Sequence, residues 1–166
     1  RLVADGDSLP LGDMHIEIMH TPGHTPACLT YVIGDAAFVG DTLFMPDYGT
    51  ARADFPGGSA EALYHSIRKI LALPPETKIF VGHDYLPSGR SDYRWETSVS
   101  EQRHSNIHVH DGVSEADFVK MRTTRDKTLE APQLILPSLQ VNIRAGAMPP
   151  ASPGGHIYLR LPINAI

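Results

Sequence analysis

The chain has 166 residues, of which 42% are hydrophobic, so it is long enough to bury a sizeable core as a single domain. Its formal net charge of −5 argues against nucleic acid and anionic membranes as partners, and no apolar run is long enough to span a membrane. The single cysteine, Cys28, is typical of a reducing compartment, which predicts a cytoplasmic location. Its 14 Gly and 14 Pro indicate many turns and favour a β or mixed α/β fold over a helical bundle.

Strand patterns dominate the first part of the chain. The stretch MHIEIMH, which begins at Met14, alternates apolar and polar residues as a half-buried strand does. The runs ACLTYVI and AAFVG are separated only by Gly34 and Asp35, which predicts a hairpin. The stretch that follows, DTLFMPDYGTARADFPGG, is long for a connection in a compact domain, and loops of this kind are usually functional or disordered.

Helix signals come next in the chain. The stretch SAEALYHSIRKILALPP predicts a helix that is capped by Ser59 and stopped by its prolines, and TKIFVG then predicts a short buried strand. The stretch SEADFVKMRTTRDKTL predicts a second helix, capped by Ser114 with Asp117 three residues later. The stretch PQLILPSLQVNIRAG is apolar enough to pack but is interrupted by Pro137. This order of strands and helices predicts an α/β fold.

Three polar residues follow predicted strands or their loops, and each stands next to a glycine: His24 in PGHT, Asp41 in VGDT and His83 in VGHD. Side chains at strand ends can converge at one rim of a sheet, and glycine permits a close backbone approach there. Imidazole and carboxylate together suit zinc or ferrous iron. Each residue alone is compatible with a hydrogen-bonded histidine or a turn-capping aspartate, but their ordered occurrence predicts a metal site.

These motifs resemble those of the metallo-β-lactamase superfamily, in which a PGHT histidine, a GDT-type aspartate and a GH[DE]-type histidine are successive site residues. The resemblance covers most of residues 13–89. Within the superfamily, the chain is most similar to the persulfide dioxygenases, including bacterial proteins described as β-lactamase-like hydrolases. The narrower match is carried by RADF at 52–55, HDY at 83–85 and NIRAG at 142–146, and it extends the resemblance to nearly the whole chain.

The resemblance implies a mononuclear centre with one Fe²⁺ per site, held by two histidines and one aspartate on one face. By position, His24 is then one histidine ligand and Asp41 is the carboxylate ligand. His83 is expected to lie near the metal without binding it. The implied reaction is the oxidation of glutathione persulfide by O₂ to sulfite and glutathione, in sulfide detoxification.

Three further residues are candidates for contacts with the substrate: Arg52, Tyr85 and Arg144. Glutathione carries two carboxylates, which guanidinium groups bind well, so Arg52 and Arg144 are predicted to bind the substrate. Tyr85 is predicted to act beside the metal, together with His83. A purely structural role is equally compatible with the sequence for Arg52, Tyr85 and Arg144.

The first superfamily motif, HxHxDH, is absent from the sequence. The tetrapeptide from His108 to Asp111 echoes its start but lies downstream of the other motifs, so we interpret the echo as coincidence. Residues 1–166 are therefore interpreted as one metallo-β-lactamase-like domain, namely the C-terminal half of the αββα sandwich plus a terminal extension. On this interpretation, the N-terminal half is a required partner, the chain alone is inactive, and apolar strand faces are exposed. A homodimer is left open.

Three alternatives compete with the dioxygenase interpretation. The first is a zinc hydrolase of the same fold, such as a glyoxalase II-like thioesterase, in which the histidine that matches His83 binds a second Zn²⁺. The second is a binding module without enzymatic activity, and the third is a chance pattern in an ordinary domain. The RADF loop and the HDY tripeptide favour the dioxygenase over the hydrolase.

Overall fold

The computed structural model describes residues 1–130, 132 and 134–160. The chain forms two compact units, the first ending at Thr128 and the second beginning at Leu129. Four helices are present in the described residues: α1 (Ala60–Ile70), α2 (Val99–Ser105), α3 (Glu115–Asp126) and α4 (Ile135–Asn142). The first three belong to the first unit, and α4 belongs to the second.

A six-stranded sheet, with its strands in chain order, forms the base of the first unit. The strands are β1 (Ser8–Leu11), β2 (Met14–His20), β3 (Leu29–Ile33), β4 (Ala36–Phe38), β5 (Lys78–Phe80) and β6 (Glu96–Ser98). Neighbouring strands are antiparallel except β4 and β5, which are parallel and are connected through α1. The predicted hairpin is confirmed, since Ile33 pairs with Ala36 across Gly34, whose φ is 59°.

The predicted helix caps are confirmed. The Ser59 hydroxyl accepts a hydrogen bond from the backbone N–H of Ala62 at 3.1 Å, one turn into α1. In α3, the Ser114 hydroxyl accepts from the N–H of Asp117 and donates to the Asp117 carboxylate at 2.6 Å. The bonds from Ala62 and Asp117 to the serine hydroxyls each satisfy a backbone N–H that a helix start leaves without a partner.

The core lies between the sheet and helices α1 and α3. Burial of a Val, Leu, Ile or Phe side chain is worth about 1.5–3 kcal/mol, so the packing of these core side chains holds the strand ends against the helices. Fully buried members are Ala37, Val39, Leu43, Leu63, Ile67, Ile70, Ile79, Val99, Val109 and Phe118.

Aromatic side chains are exposed on the other face of the sheet. Tyr31 and Phe38 face each other across β3 and β4, with 38% and 41% of their surfaces exposed. The Phe38 ring also stacks on Phe80 of β5, with 5.1 Å between ring centroids. An aromatic strip of this kind is apolar surface that a further layer of structure is able to cover.

Helix α4 departs from the expectation that Pro137 interrupts its segment. Pro137 is the third residue of α4. In the first turn of a helix, the backbone N–H has no acceptor within the helix, so a proline there breaks no hydrogen bond. Within the residues that the structure describes, every helix is too short or too polar to traverse a bilayer.

Candidate metal centre

The parallel pairing of β4 and β5 brings Asp41 and His83 together. Each lies three residues beyond the end of its strand, and parallel neighbours end at the same edge of a sheet. The N–H of Gly82 donates to the carbonyl of Gly40 at 3.1 Å, which fastens the two loops to each other just before both residues. A Cβ on Gly82 would lie 3.1 Å from the Gly40 backbone, so glycine permits this close approach.

His24 reaches the same edge from the turn between β2 and β3. Its neighbour Gly23 has φ 136°, and a Cβ there would lie 2.3 Å from the backbone of Leu63 in α1. The Gly23 carbonyl accepts the N–H of Ser59 at 2.9 Å, at the start of the same helix. The PGHT turn is thus pressed directly against α1, and this contact sets the position of His24.

The protonation of His24 follows from its hydrogen bond. Its Nδ1 lies 2.8 Å from the carbonyl oxygen of Arg52, which can only accept. Nδ1 therefore carries the proton in the neutral ring, and Nε2 presents a lone pair, as metal-bound histidines do. Nε2 lies 3.9 Å from Oδ2 of Asp41, and the ring is held edge-on by Phe55 at 5.1 Å.

The carboxylate of Asp41 divides its two oxygens between two histidines. Oδ2 faces His24, while Oδ1 is 2.5 Å from Nδ1 of His83. The His24 and Asp41 side chains are 15% and 30% exposed, whereas His83 is 58% exposed. The structure therefore brings together all three residues that the motifs singled out.

The donor chemistry of His24 and Asp41 fits a metal ion. Two atoms that bind one ion at about 2.0–2.2 Å lie at most about 4.4 Å apart, and the imidazole nitrogen and carboxylate oxygen are within that limit. Among residues 1–130, 132 and 134–160, no three His, Cys, Asp or Glu side chains are arranged to hold an ion. The described site thus contributes two donors, and their metal binding stays a prediction.

Tyr85 belongs to an aromatic cluster beside His83. Its ring stacks on Tyr48 at 4.8 Å between centroids, meets the edge of Phe44 at 5.2 Å and lies 5.9 Å from the His83 ring. Burial raises the pKa of the Tyr85 phenol, and the negative charge of Asp41 raises it further. The hydroxyl therefore stays protonated at neutral pH and is available as a hydrogen-bond donor.

The two predicted substrate-binding arginines have different surroundings. The Arg52 guanidinium binds both oxygens of Asp54, at 2.6 and 2.7 Å, and lies over the Phe55 ring at 5.0 Å. This pairing holds the pKa of Asp54 below its usual value. A substrate carboxylate would have to share or displace Asp54 to reach Arg52.

Arg144 lies in the second unit, just after α4. It donates to the Gln140 carbonyl at 2.7 Å and lines a cavity of about 400 Å³ together with Tyr158 and Arg160. Substrate binding by either Arg52 or Arg144 stays a prediction.

A buried network that the sequence analysis missed supports the Arg52 carbonyl. Arg122 and Asp126 form an ion pair on α3, with side chains 2% and 4% exposed. Arg122 donates to the Thr50 carbonyl at 3.1 Å, and Asp126 accepts the N–H of Ala53 at 2.8 Å. Helix α3 therefore holds the loop on both sides of the residue that orients His24. The i, i+4 spacing of opposite charges was the only signal in the sequence.

His108, part of the HVHD echo, belongs to the same network. Its Nδ1 accepts the N–H of Thr50 at 3.0 Å, and its ring occupies the space that a Cβ on Gly49 would fill. Burial, together with the positive charges of the nearby Arg122 and Arg125, lowers the pKa of His108 to about 4. The histidine is thus a neutral structural acceptor in this fold.

We expect the depressed pKa of His108 to make stability depend on pH. The folded state binds fewer protons than the unfolded state between about pH 6.5 and pH 4, so stability is full above this range and falls as the pH drops through it. Urea unfolding should show a loss of about 2 kcal/mol between pH 7 and pH 5. His108→Gln should remove this difference, whereas His110→Gln, at an exposed position, should keep it. An unchanged pH dependence in His108→Gln would contradict the assignment.

The geometry places one imidazole donor and one carboxylate donor side by side at the edge of an α/β sheet. The sequence profile of the Metallo-beta-lactamase superfamily matches residues 1–83, half of the chain. The chain therefore belongs to the metallo-β-lactamase superfamily, as the motifs indicated.

Relatives with different names match nearly the whole chain. The Beta-lactamase hydrolase-like protein of Xylella fastidiosa is 56% identical over 100% of this chain and 38% of its own length. Glyoxylase B2 of Dictyostelium discoideum is 52% identical over 99% of this chain and 56% of its own. The human mitochondrial Persulfide dioxygenase ETHE1 is 36% identical over 90% of this chain and 56% of its own.

A solved structure confirms the fold. ETHE1 from Myxococcus xanthus superimposes with a TM-score of 0.76 at 34% identity, over 87% of this chain and 60% of its own. The chain spans between 38% and 60% of the length of the curated relatives it matches. The names of these relatives describe a hydrolase-like protein, a glyoxylase and a persulfide dioxygenase, so the relatives do not share one named activity.

Proposed function

We propose that the chain carries part of the metal centre of a non-haem iron persulfide dioxygenase. The reaction consumes glutathione persulfide, O₂ and one water, and it yields glutathione, sulfite and two protons. The observation that supports a metal-dependent enzyme is the placement of His24 Nε2 at 3.9 Å from Asp41 Oδ2, with Nδ1 held by the Arg52 carbonyl. The resemblance of the RADF and HDY stretches, together with the ETHE1 relatives, supports the dioxygenase over other members of the superfamily.

His24 and Asp41 hold Fe²⁺ in this proposal. A facial triad needs one more protein ligand, which the family resemblance gives as a histidine of the HxHxDH type; among residues 1–130, 132 and 134–160, no third donor is arranged with His24 and Asp41. An iron ion held by these residues would supply the redox chemistry that joins oxygen to the substrate sulfur. His83 holds Asp41 Oδ1 and so fixes the direction of Oδ2.

The remaining residues bind and orient the substrate. The protonated Tyr85 hydroxyl donates a hydrogen bond to the substrate beside His83. Arg52 is held in place by Asp54, and its cationic face attracts a glutathione carboxylate. Arg144 is proposed to bind the other carboxylate. A cytoplasmic location is part of the same proposal.

A zinc-dependent thioesterase of the glyoxalase II type is the second candidate, and His83 is the observation that favours it. The Asp41 carboxylate is an acceptor, so His83 Nδ1 carries the proton of that hydrogen bond and Nε2 presents a lone pair. The side chain is 58% exposed, so this nitrogen is accessible to a second Zn²⁺. The name of Glyoxylase B2, which is 52% identical to this chain, also supports the thioesterase.

Metal content and oxygen uptake separate the two functions. The chain is mixed with a protein segment that carries an HxHxDH motif, loaded anaerobically with Fe²⁺ or Zn²⁺, and supplied with glutathione persulfide or a glutathione thioester. We expect one iron per chain and oxygen uptake that matches the sulfite formed, and no turnover by the chain without that segment. Asp41→Asn is the control and should abolish both signals. Two zinc ions per chain with thioester cleavage and no oxygen uptake would contradict the dioxygenase.

A further inference from the structure

An arginine with a largely covered side chain, near the candidate metal centre, binds two carboxylates from different loops. The Arg90 side chain is 8% exposed. Its Nε donates to Asp47 at 2.8 Å, while Nη1 and Nη2 donate to the two oxygens of Asp84 at 2.5 and 2.6 Å. Asp47 lies in the loop after β4 and Asp84 in the loop after β5. Arg90 therefore joins the two loops that also carry Asp41 and His83.

Every donor of the Arg90 guanidinium is occupied. Besides the three bonds above, Nη1 donates to the carbonyl of Asp92 at 2.7 Å and Nη2 approaches Asp47 Oδ1 at 3.4 Å. A guanidinium has five N–H groups, so none is left for a substrate carboxylate. Its hydrogen bonds lower the pKa of Asp84 to about 2, which keeps this pair charged at neutral pH. The arrangement is a closed ionic clamp, defined by Arg90, Asp47 and Asp84.

The two carboxylates of the clamp occupy matching positions in the chain. Asp47 directly precedes Tyr48, and Asp84 directly precedes Tyr85. Tyr48 and Tyr85 are the two rings that stack at 4.8 Å, with an interplanar angle of 22°. Arg90 thus binds the residue immediately before each member of the stack.

The loop that contains Tyr85 needs such a restraint. Tyr85 is 53% exposed, so burial alone does not hold its ring. The next residue, Leu86, has φ 46°, a left-handed conformation that costs a non-glycine residue about 1–2 kcal/mol. The N–H groups of Leu86 and Arg94 both donate to Asp84, at 3.3 and 2.7 Å. The clamp is therefore what keeps a strained loop in one conformation.

We propose that Arg90 is a positioning residue that, by binding Asp47 and Asp84 together, fixes the Tyr48–Tyr85 stack and so holds the Tyr85 ring beside the His83 ring. The consequence for substrate orientation rests on the proposed function, but the clamp itself does not. Arg90 touches neither His24 nor Asp41 in the described contacts, so its loss should leave those two donors in place.

Arg90→Met tests the clamp in the whole 166-residue chain without metal or substrate. We expect the nuclear Overhauser contacts between the Tyr48 and Tyr85 rings to disappear. We also expect amide hydrogen exchange across residues 83–94 to accelerate by more than about tenfold, because an ion pair whose side chains are only 8% and 6% exposed is broken. Arg94→Met is the matched control, since Arg94 is an exposed arginine of the same loop, and it should change neither measurement.

Two further variants separate positioning from a general loss of stability. Asp47→Asn removes a carboxylate that is 46% exposed and leaves the Arg90–Asp84 pair intact. It should weaken the ring contacts while the melting temperature stays the same. Arg90→Lys keeps the positive charge but lacks the planar guanidinium that binds a carboxylate through two N–H groups. It should therefore retain the ring contacts only in part.

Three outcomes would overturn the proposal: ring contacts that persist in folded Arg90→Met, contacts unaffected in Asp47→Asn, or equal changes in Arg94→Met. A failure of oxygen uptake by the wild-type chain in the presence of the HxHxDH-bearing segment would reject the dioxygenase and leave these outcomes unaffected.

Discussion

Replacing Asp41 by Asn should lower metal affinity by more than about 100-fold, beyond what a residue that only supports a ligand costs. The carboxylate supplies a negative charge that compensates the metal, and an amide of the same shape cannot supply it. The amide oxygen can still accept from His83, so the loops that carry the two residues should stay in place. Calorimetric titration with Zn²⁺ measures the affinity, and the melting temperature checks the fold.

His83→Asn is the informative comparison for Asp41→Asn. If His83 only orients the carboxylate, its loss should cost about tenfold in affinity. Its side chain is 58% exposed, so the fold should tolerate the change. Equal losses of metal in the two variants would contradict the mononuclear proposal and would point to a dinuclear hydrolase.

Gly23→Ala should destabilise the protein by about 2–6 kcal/mol. The new methyl group would lie 2.3 Å from the backbone of Leu63 in α1, and overpacking of this kind costs about 1–3 kcal/mol. The φ of 136° adds about 1–3 kcal/mol of backbone strain for any residue with a Cβ. Because the methyl group forces the PGHT turn away from α1, His24 should move and metal binding should weaken with stability. Urea unfolding and Zn²⁺ titration measure the two effects.

Gly12→Ala controls for the loss of a glycine at positive φ. Gly12 has φ 58°, but no atom lies within 4 Å of the position of its Cβ. The Gly12→Ala variant should therefore lose only about 1–2 kcal/mol of stability and leave metal binding unchanged. A Gly23→Ala variant that is no less stable than Gly12→Ala would show that the contact with α1 does not hold the turn.

Local signals in the sequence were sufficient for most elements of the first unit. Ser59 and Ser114 mark the helix starts because a hydroxyl can satisfy a free N–H only at that position. The Gly34 turn marks the hairpin because it needs a positive φ. Strand β6 and helix α2 were not predicted, since their residues, ETS and VSEQRHS, include only one apolar side chain and so show no apolar pattern.

The sequence by itself determined the superfamily, the α/β class and the three polar residues that the fold brings together. The reason is that a short motif at a strand end specifies both the turn and the side chain that follows it. The glycines at 23, 40 and 82 predicted that the backbone comes close to neighbouring segments at these positions. The structure shows such close backbone contacts at Gly23 and Gly82.

Only the tertiary structure decided how those residues are held. The Arg52 carbonyl orients His24 from 28 residues away, and Asp126 supports that loop from 73 residues away. Arg90, Asp47 and Asp84 are three ordinary charges in the sequence, and they become a clamp only when the loops after β4 and β5 meet. Contacts of this kind depend on the packing of distant segments, because a hydrogen bond is set by distance and direction in space, and no local pattern encodes them.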